Sequence, residues 1–111
     1  MTRQKVTGKG MADLRAALYR RASGLCDRCW VPQIDGEWHM HHRLMRSHGG
    51  GDTLENCVVL CWRCHNHVHA NTGEAYADGW LVRSHNHPAA IPVRNPRGFA
   101  LLPGIEWEDT Q

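Results

Sequence analysis

Apolar positions along this chain come in short groups whose spacing changes from one stretch to the next. Leu14, Ala17, Leu18 and Ala22 form a stripe at i, i+3, i+4, and Gly24 follows as a stop, so the spacing predicts a helix over 11–24. From Glu37 to Leu44 the period becomes two. A strand there would set His39, His41 and Arg43 on one side and Trp38, Met40, His42 and Leu44 on the other. Cys57-Val58-Val59-Leu60 is a second β-prone run. A helix over 63–71 would then bring His65 and His69 one turn apart on one face, with His67 on the opposite, solvent side.

The punctuation between these segments is equally readable. Pro32 and Asp35-Gly36 signal a turn, and 47–53 is a glycine-rich loop. Residues 1–10 hold almost nothing apolar and are expected to be a disordered basic arm. Gly79-Trp80-Leu81-Val82 reads as a strand. The stretch 84–98, with Pro88, Pro92 and Pro96, reads as an extended wrap without regular structure. Phe99 to Leu102 and Ile105 to Trp107 would form a terminal strand or a hairpin around Pro103-Gly104. The mixture predicts an α+β domain over 11–82, with 83–111 as an extension packed on it.

Composition narrows this picture only slightly. With 111 residues the chain has room for one small core, which a bound metal would help to stabilise. Hydrophobic residues are 41% and charged residues 22%, the balance of an ordinary globular protein. No apolar run approaches the roughly 18 residues of a membrane span. The first residues lack the apolar stretch of a secretory signal, so a cytoplasmic protein is expected, and the chain is read as a monomer. Net charge is only +2, but it is unevenly spread. Residues 1–21 carry Arg3, Lys5, Lys9, Arg15, Arg20 and Arg21 against Asp13 alone. Such an arm suits phosphate contacts, or simply a solvated leader.

The chemistry lies in the cysteines and histidines. Cys26-Asp27-Arg28-Cys29 and Cys61-Trp62-Arg63-Cys64 are two Cys-x-x-Cys knuckles, and four thiolates at this spacing suit one structural zinc. Five cysteines is an odd count, which argues against a simple disulfide framework. Cys57, the one left over, sits in the apolar run and reads as core. Threaded between and after the thiolates are His41-His42, Asn56, His65 and His69, a set suited to a second, catalytic metal. His39 reads as a spectator or an outer contact of that set. His48, His85 and His87 have no spacing argument, and the five tryptophans read as core or knuckle packing rather than as base-stacking platforms.

The order from Cys26 to His69 resembles the HNH nucleases, also called ββα-metal nucleases. It is carried by the two knuckles, His41-His42, Gly49-Gly50-Gly51-Asp52, Leu54-Glu55-Asn56, Cys64-His65 and His69. The resemblance implies a β-hairpin followed by a helix gripping one divalent cation. By position, His41, His65 and His69 match metal ligands, His42 the general base, and Asn56 the residue that orients it. Arg46 is the favoured supporting arginine. A nitrogen-rich ligand set points towards Mn²⁺, Ni²⁺ or Zn²⁺ relative to Mg²⁺. The zinc-knuckle pattern is similar to that of small bacteriophage and prophage HNH proteins, which implies DNA as substrate, little sequence preference, and terminase or portal proteins as partners. The alternative is a non-catalytic, zinc-stabilised nucleic-acid-binding or assembly module, which would need the four cysteines but not His42 and Asn56.

Overall fold

The computed structural model describes residues 8–103. It is an α+β fold whose elements run α1 (Lys9–Arg21), β1 (His39–His42), β2 (Cys57–Leu60), α2 (Trp62–Ala70), α3 (Thr72–Ala77), β3 (Val93–Asn95) and β4 (Gly98–Ala100). Short 3₁₀ turns at Arg46–His48 and Pro88–Ala90 interrupt the loops. No helix among the described residues is long and apolar enough to cross a membrane.

The organising element is the β1–β2 hairpin. It pairs antiparallel, with His39 opposite Leu60, Met40 opposite Val59, His41 opposite Val58 and His42 opposite Cys57. All four β2 residues are buried because both faces of the strand are covered. Cys57 and Val59 pack with Leu18 of α1 and with Trp38. Val58 and Leu60 pack with Cys26, Cys64, Val68, Trp80 and Leu81. A strand covered twice reads as a continuous apolar run, whereas the side chains of β1, of which only His41 is buried, alternate between two differently occupied faces. That alternation sends His39 and His41 towards α2, and Met40 and His42 to the other face.

α1 presents the expected stripe, with Leu18 fully buried and Leu14 and Ala22 packed beside it. The helix begins at Lys9, earlier than the sequence pattern suggested, so residues 9 and 10 belong to it rather than to a disordered arm. Residues 1–7 lie outside the described residues. Gly24 takes a φ of 74°, the left-handed conformation a helix end requires. Arg21 reaches from the end of α1 to the carbonyls of Leu54 and Cys57, pinning the helix to the start of β2.

The second half departs from expectation in two places. Residues 72–77 form α3, and Gly79 to Val82 is not a strand. The amides of Trp80 and Leu81 both donate to Ala75 O, at 2.9 and 3.1 Å, and so close the end of α3 instead of a sheet ladder. The segment 84–98 is also more regular than its prolines implied. β3 pairs with β4 in register Val93–Ala100, Arg94–Phe99 and Asn95–Gly98, around a turn where Arg97 N donates to Asn95 Oδ1 at 2.8 Å. Strands of three residues carry too little periodicity to be read in advance. β4 therefore pairs backwards with β3; the anticipated Ile105–Trp107 partner lies outside the described residues.

Arg43 fastens this second half to the hairpin. It is almost fully buried and donates to three carbonyls, Gly79 O at 2.8 Å, Pro88 O at 3.0 Å and Ile91 O at 2.6 Å. Burial lowers its pKa to about 10, a value that leaves it cationic at neutral pH. Gly79 is needed at the same junction: its φ is 82°, and a Cβ there would lie 2.0 Å from Pro92 O.

Candidate metal centres and catalytic site

The two knuckles meet. The sulfurs of Cys26, Cys29, Cys61 and Cys64 all lie within 4.8 Å of one another, and Cys29 Sγ stands 3.9 Å from Cys61 Sγ. The second knuckle doubles as the start of α2, because Cys61 Sγ accepts from Cys64 N at 3.4 Å in the manner of an N-cap. Asp27 ties the first knuckle to β2 through two bonds to Val59, its Oδ2 accepting from Val59 N at 2.8 Å and its amide donating to Val59 O at 2.7 Å. Burial pushes its carboxyl up to about 6. Hydrogen bonding from Cys64 pulls the Cys26 thiol down to about 4, while the same contact pushes Cys64 up. Arg28 donates to Cys64 Sγ at 3.2 Å, a cation placed against accumulating thiolate charge. Four sulfurs in one cluster, with no carboxylate among them, fit a tetrahedral zinc.

The second cluster is built of imidazoles. One ring nitrogen from each of His41, His65 and His69 falls within the same 4.8 Å limit. His41 is buried on β1, and its Nε2 lies 2.6 Å from Trp80 O. A carbonyl only accepts, so Nε2 carries the proton and Nδ1 is left with its lone pair for a cation. His65 and His69, one turn apart on α2, approach at 3.1 Å between their Nε2 atoms. His65 Nδ1 in turn meets His39 Nδ1 at 2.7 Å, which makes His39 an outer contact of the cluster. Burial is the main cause that lowers both His41 and His65 to about 4. At neutral pH both are therefore uncharged, the form that binds a metal. Three convergent neutral imidazoles fit a borderline divalent cation.

His42 points away from this trio, towards the glycine-rich loop. Its Nε2 lies 2.7 Å from Asp52 Oδ1. The Asp52 side chain is fully buried and receives Arg46 Nη2 at 3.1 and 3.0 Å from its two oxygens. A carboxylate paired with a guanidinium accepts, so His42 Nε2 is the donor and Nδ1 keeps the lone pair. Among the described residues no hydrogen bond joins Asn56 to His42. Its Oδ1 accepts from Leu44 N at 2.7 Å, and its Nδ2 donates to Leu44 O and Gly51 O, both at 3.0 Å. The Asn56 side chain thus laces the loop to the end of β1, one residue before Asp52. Its main-chain oxygen accepts from Arg43 N at 2.9 Å, just after His42. Gly50 lies inside this lacing, where a Cβ would stand 1.7 Å from Leu44 O.

Of the residues singled out from sequence, the four cysteines converge on one point and His41, His65 and His69 on another. Arg46 and His42 meet on Asp52, and Asn56 stands one step removed. Asp52 is the functional candidate that sequence reasoning passed over. It was visible within Gly-Gly-Gly-Asp, but nothing in the spacing said that the loop would fold back on His42. Cys57 is core: it is fully buried, and burial raises its thiol to about 11.

Comparison with known proteins gives two positive findings. A family model described as HNH endonuclease matches residues 26–71. Over 62 residues the chain is 31% identical to the type IV methyl-directed restriction enzyme EcoKMcrA of Escherichia coli (strain K12). That alignment takes in 50% of this chain and only 22% of the restriction enzyme. No solved structure gives a significant match.

Proposed function

We propose that this chain, whose residues 26–71 match the HNH endonuclease model, is a metal-dependent endonuclease acting on DNA phosphodiester bonds. The observations that carry the reading are the Arg46–Asp52–His42 relay and the three-imidazole cluster, joined through the adjacent β1 residues His42 and His41. A zinc-stabilised binding module would need the four cysteines but not this relay.

In this scheme Asp52 holds His42 in the tautomer whose Nδ1 is free to accept a proton. Arg46 pairs with both oxygens of Asp52. Asn56 acts through the backbone, holding the loop on which Asp52 sits. His42 Nδ1 then removes a proton from a water aligned on the phosphorus. His41, through Nδ1, together with His65 and His69, would hold one divalent cation, whose contribution is Lewis acidity at the scissile phosphate and the departing 3′ oxygen. The imidazole set favours Mn²⁺, Ni²⁺ or Zn²⁺ over Mg²⁺. The thiol cluster would hold zinc in a structural role. Residues 11–82 would form the nuclease domain, with 83–111 as its packed extension.

Weak sequence preference, monomeric action and a place in bacteriophage DNA processing beside terminase or portal proteins extend the proposal on the strength of the family pattern. A pull-down against such components that recovered none would remove that last part. The central claim is tested by supercoiled-plasmid nicking with Mg²⁺, Mn²⁺, Ni²⁺ and Zn²⁺. The wild type should nick with at least one cation, and His42→Ala should not. If neither protein cuts with any of them, the catalytic reading fails.

A further inference from the structure

Trp62 opens α2, and it is 61% exposed although it is among the largest apolar side chains of the protein. The expectation that all five tryptophans serve as packing therefore fails here. Its position on the helix has a consequence. Trp62 and His69 are seven residues apart, and a seven-residue step turns an α-helix to within about 20° of the same direction. Over that step the helix rises about 10 Å. Trp62 thus heads the helical stripe that ends on the imidazole cluster. A strand whose phosphate sits at His65 and His69 would pass Trp62 when followed towards the start of α2.

The surroundings suit such a strand. Trp62 borders a cleft of about 530 Å³ that Arg28, Val31, Gln33, Arg63 and His67 line together with Cys29, Cys61 and Cys64 of the thiol cluster; it opens on the His67 side of α2, so Trp62 stands between this cleft and the imidazole cluster. Glu74 pairs with two of the lining residues, Arg28 at 3.6 Å and His67 at 2.9 Å. Arg63, next to Trp62, has no ion-pair partner among the described residues and is exposed. Val31 beside it is 53% exposed. An exposed indole next to an uncommitted guanidinium matches one stacked base and one phosphate, the recurring unit of single-strand recognition.

We propose that Trp62 is a stacking platform for an unpaired nucleobase of the substrate strand, with Arg63 on an adjoining phosphate. The substrate would then be DNA with a single-stranded, gapped or frayed stretch next to the scissile bond, because a base within an intact duplex has no free face to offer. This rests on the nuclease reading for the placement of the strand, but its test does not require cleavage.

The test uses the full chain loaded with zinc, in a His42→Ala background, and fluorescence anisotropy of a labelled mixed-sequence oligodeoxynucleotide, either single-stranded or as its intact duplex. Stacking of one base is worth about 1–3 kcal/mol, so Trp62→Ala should weaken single-strand binding on the order of tenfold and leave duplex binding within about twofold. Trp62→Phe, which keeps a π-face, should retain most of the affinity. Arg63→Gln should flatten the salt dependence by a slope of about 0.7. Unchanged single-strand affinity in Trp62→Ala overturns the proposal, and so does an equal loss on duplex. The second result would mean surface contact rather than stacking. Nicking by the otherwise unmodified chain is scored separately. If it nicks while Trp62→Ala binds normally, only this inference fails. If Trp62-dependent binding appears without nicking under any cation, only the catalytic reading fails.

Discussion

The thiol cluster and the imidazole cluster draw on the same helix, yet they are built to opposite ends. The thiols join two knuckles separated by 31 residues, and two of them, Cys26 and Cys64, belong to the main apolar core. The imidazoles run outward, from buried His41 through half-buried His65 to exposed His69. A closed set of four suits a structural ion, and an open set of three leaves a position for water or substrate. Removing a thiol should therefore unfold the domain, while removing an imidazole should silence it and leave it folded.

The largest expected effect tests the first half of that contrast. Structural zinc is worth about 10–16 kcal/mol in small zinc domains, as much as the whole stability of a typical protein. Cys26→Ser should abolish the cooperative thermal transition seen by circular dichroism, whereas His69→Ala should melt within a few degrees of the wild type. If both melt alike, the division between a structural and a catalytic centre is wrong.

The relay comes next. Loss of a general base costs about 10²–10⁴-fold in rate. His42→Ala should fall in that range in single-turnover nicking. Asp52→Asn should also fall, because the amide cannot hold the imidazole in the same way. Equal activity of Asp52→Asn and wild type would leave His42 oriented by something else.

Gly50→Ala probes the lacing around that relay. With Leu44 O only 1.7 Å from the new Cβ, the loop must move, and we expect a loss on the order of 3 kcal/mol in urea denaturation together with reduced nicking. Near-normal values for both would show that the loop tolerates displacement and that Asn56 is not holding it.

A pH experiment separates the two centres again. His41 titrates at about 4 in the folded protein against an ordinary value of 6.5. The folded state therefore binds fewer protons than the unfolded chain. The resulting stability is complete above pH 6.5 and is lost as pH falls towards 4, by about 3 kcal/mol. His65 adds in the same direction, though less, because it is half exposed. Asp27 opposes both: with its pKa raised to about 6, its contribution is full below 3.8 and is lost as pH rises through 6. Asp27→Asn should consequently make the acid loss between pH 6.5 and 4 steeper than in the wild type, measured by urea midpoints without added divalent cations. A flatter profile would contradict the assignment of the buried carboxyl. The smallest effect belongs to the surface: Lys9→Ala removes an exposed pair with Asp13 at 3.0 Å and should change stability by less than about 0.5 kcal/mol.

What could be read from the chain alone was local, or rested on ligand chemistry that needs few residues. The α1 stripe, the β2 run, the two knuckles and the i, i+4 pair of His65 and His69 each follow from spacing within one element, where backbone geometry leaves little choice. The thiol cluster was legible across a long gap because each Cys-x-x-Cys is a tight turn that brings two sulfurs to one point, and four thiolates suit one zinc. Tertiary structure decided the rest. Only the folded chain brings Asp52 against His42, uses Asn56 on the loop rather than on the base, places the Trp80 carbonyl on His41 and so selects its free nitrogen, and sends Arg43 into the interior while Arg46 stays at the site. These are single contacts between segments that share no period, so nothing in the order of residues encodes them until packing closes the loop. The exposure of Trp62 is of the same kind, because a tryptophan beside a cysteine knuckle reads as packing until the core is seen to be full without it.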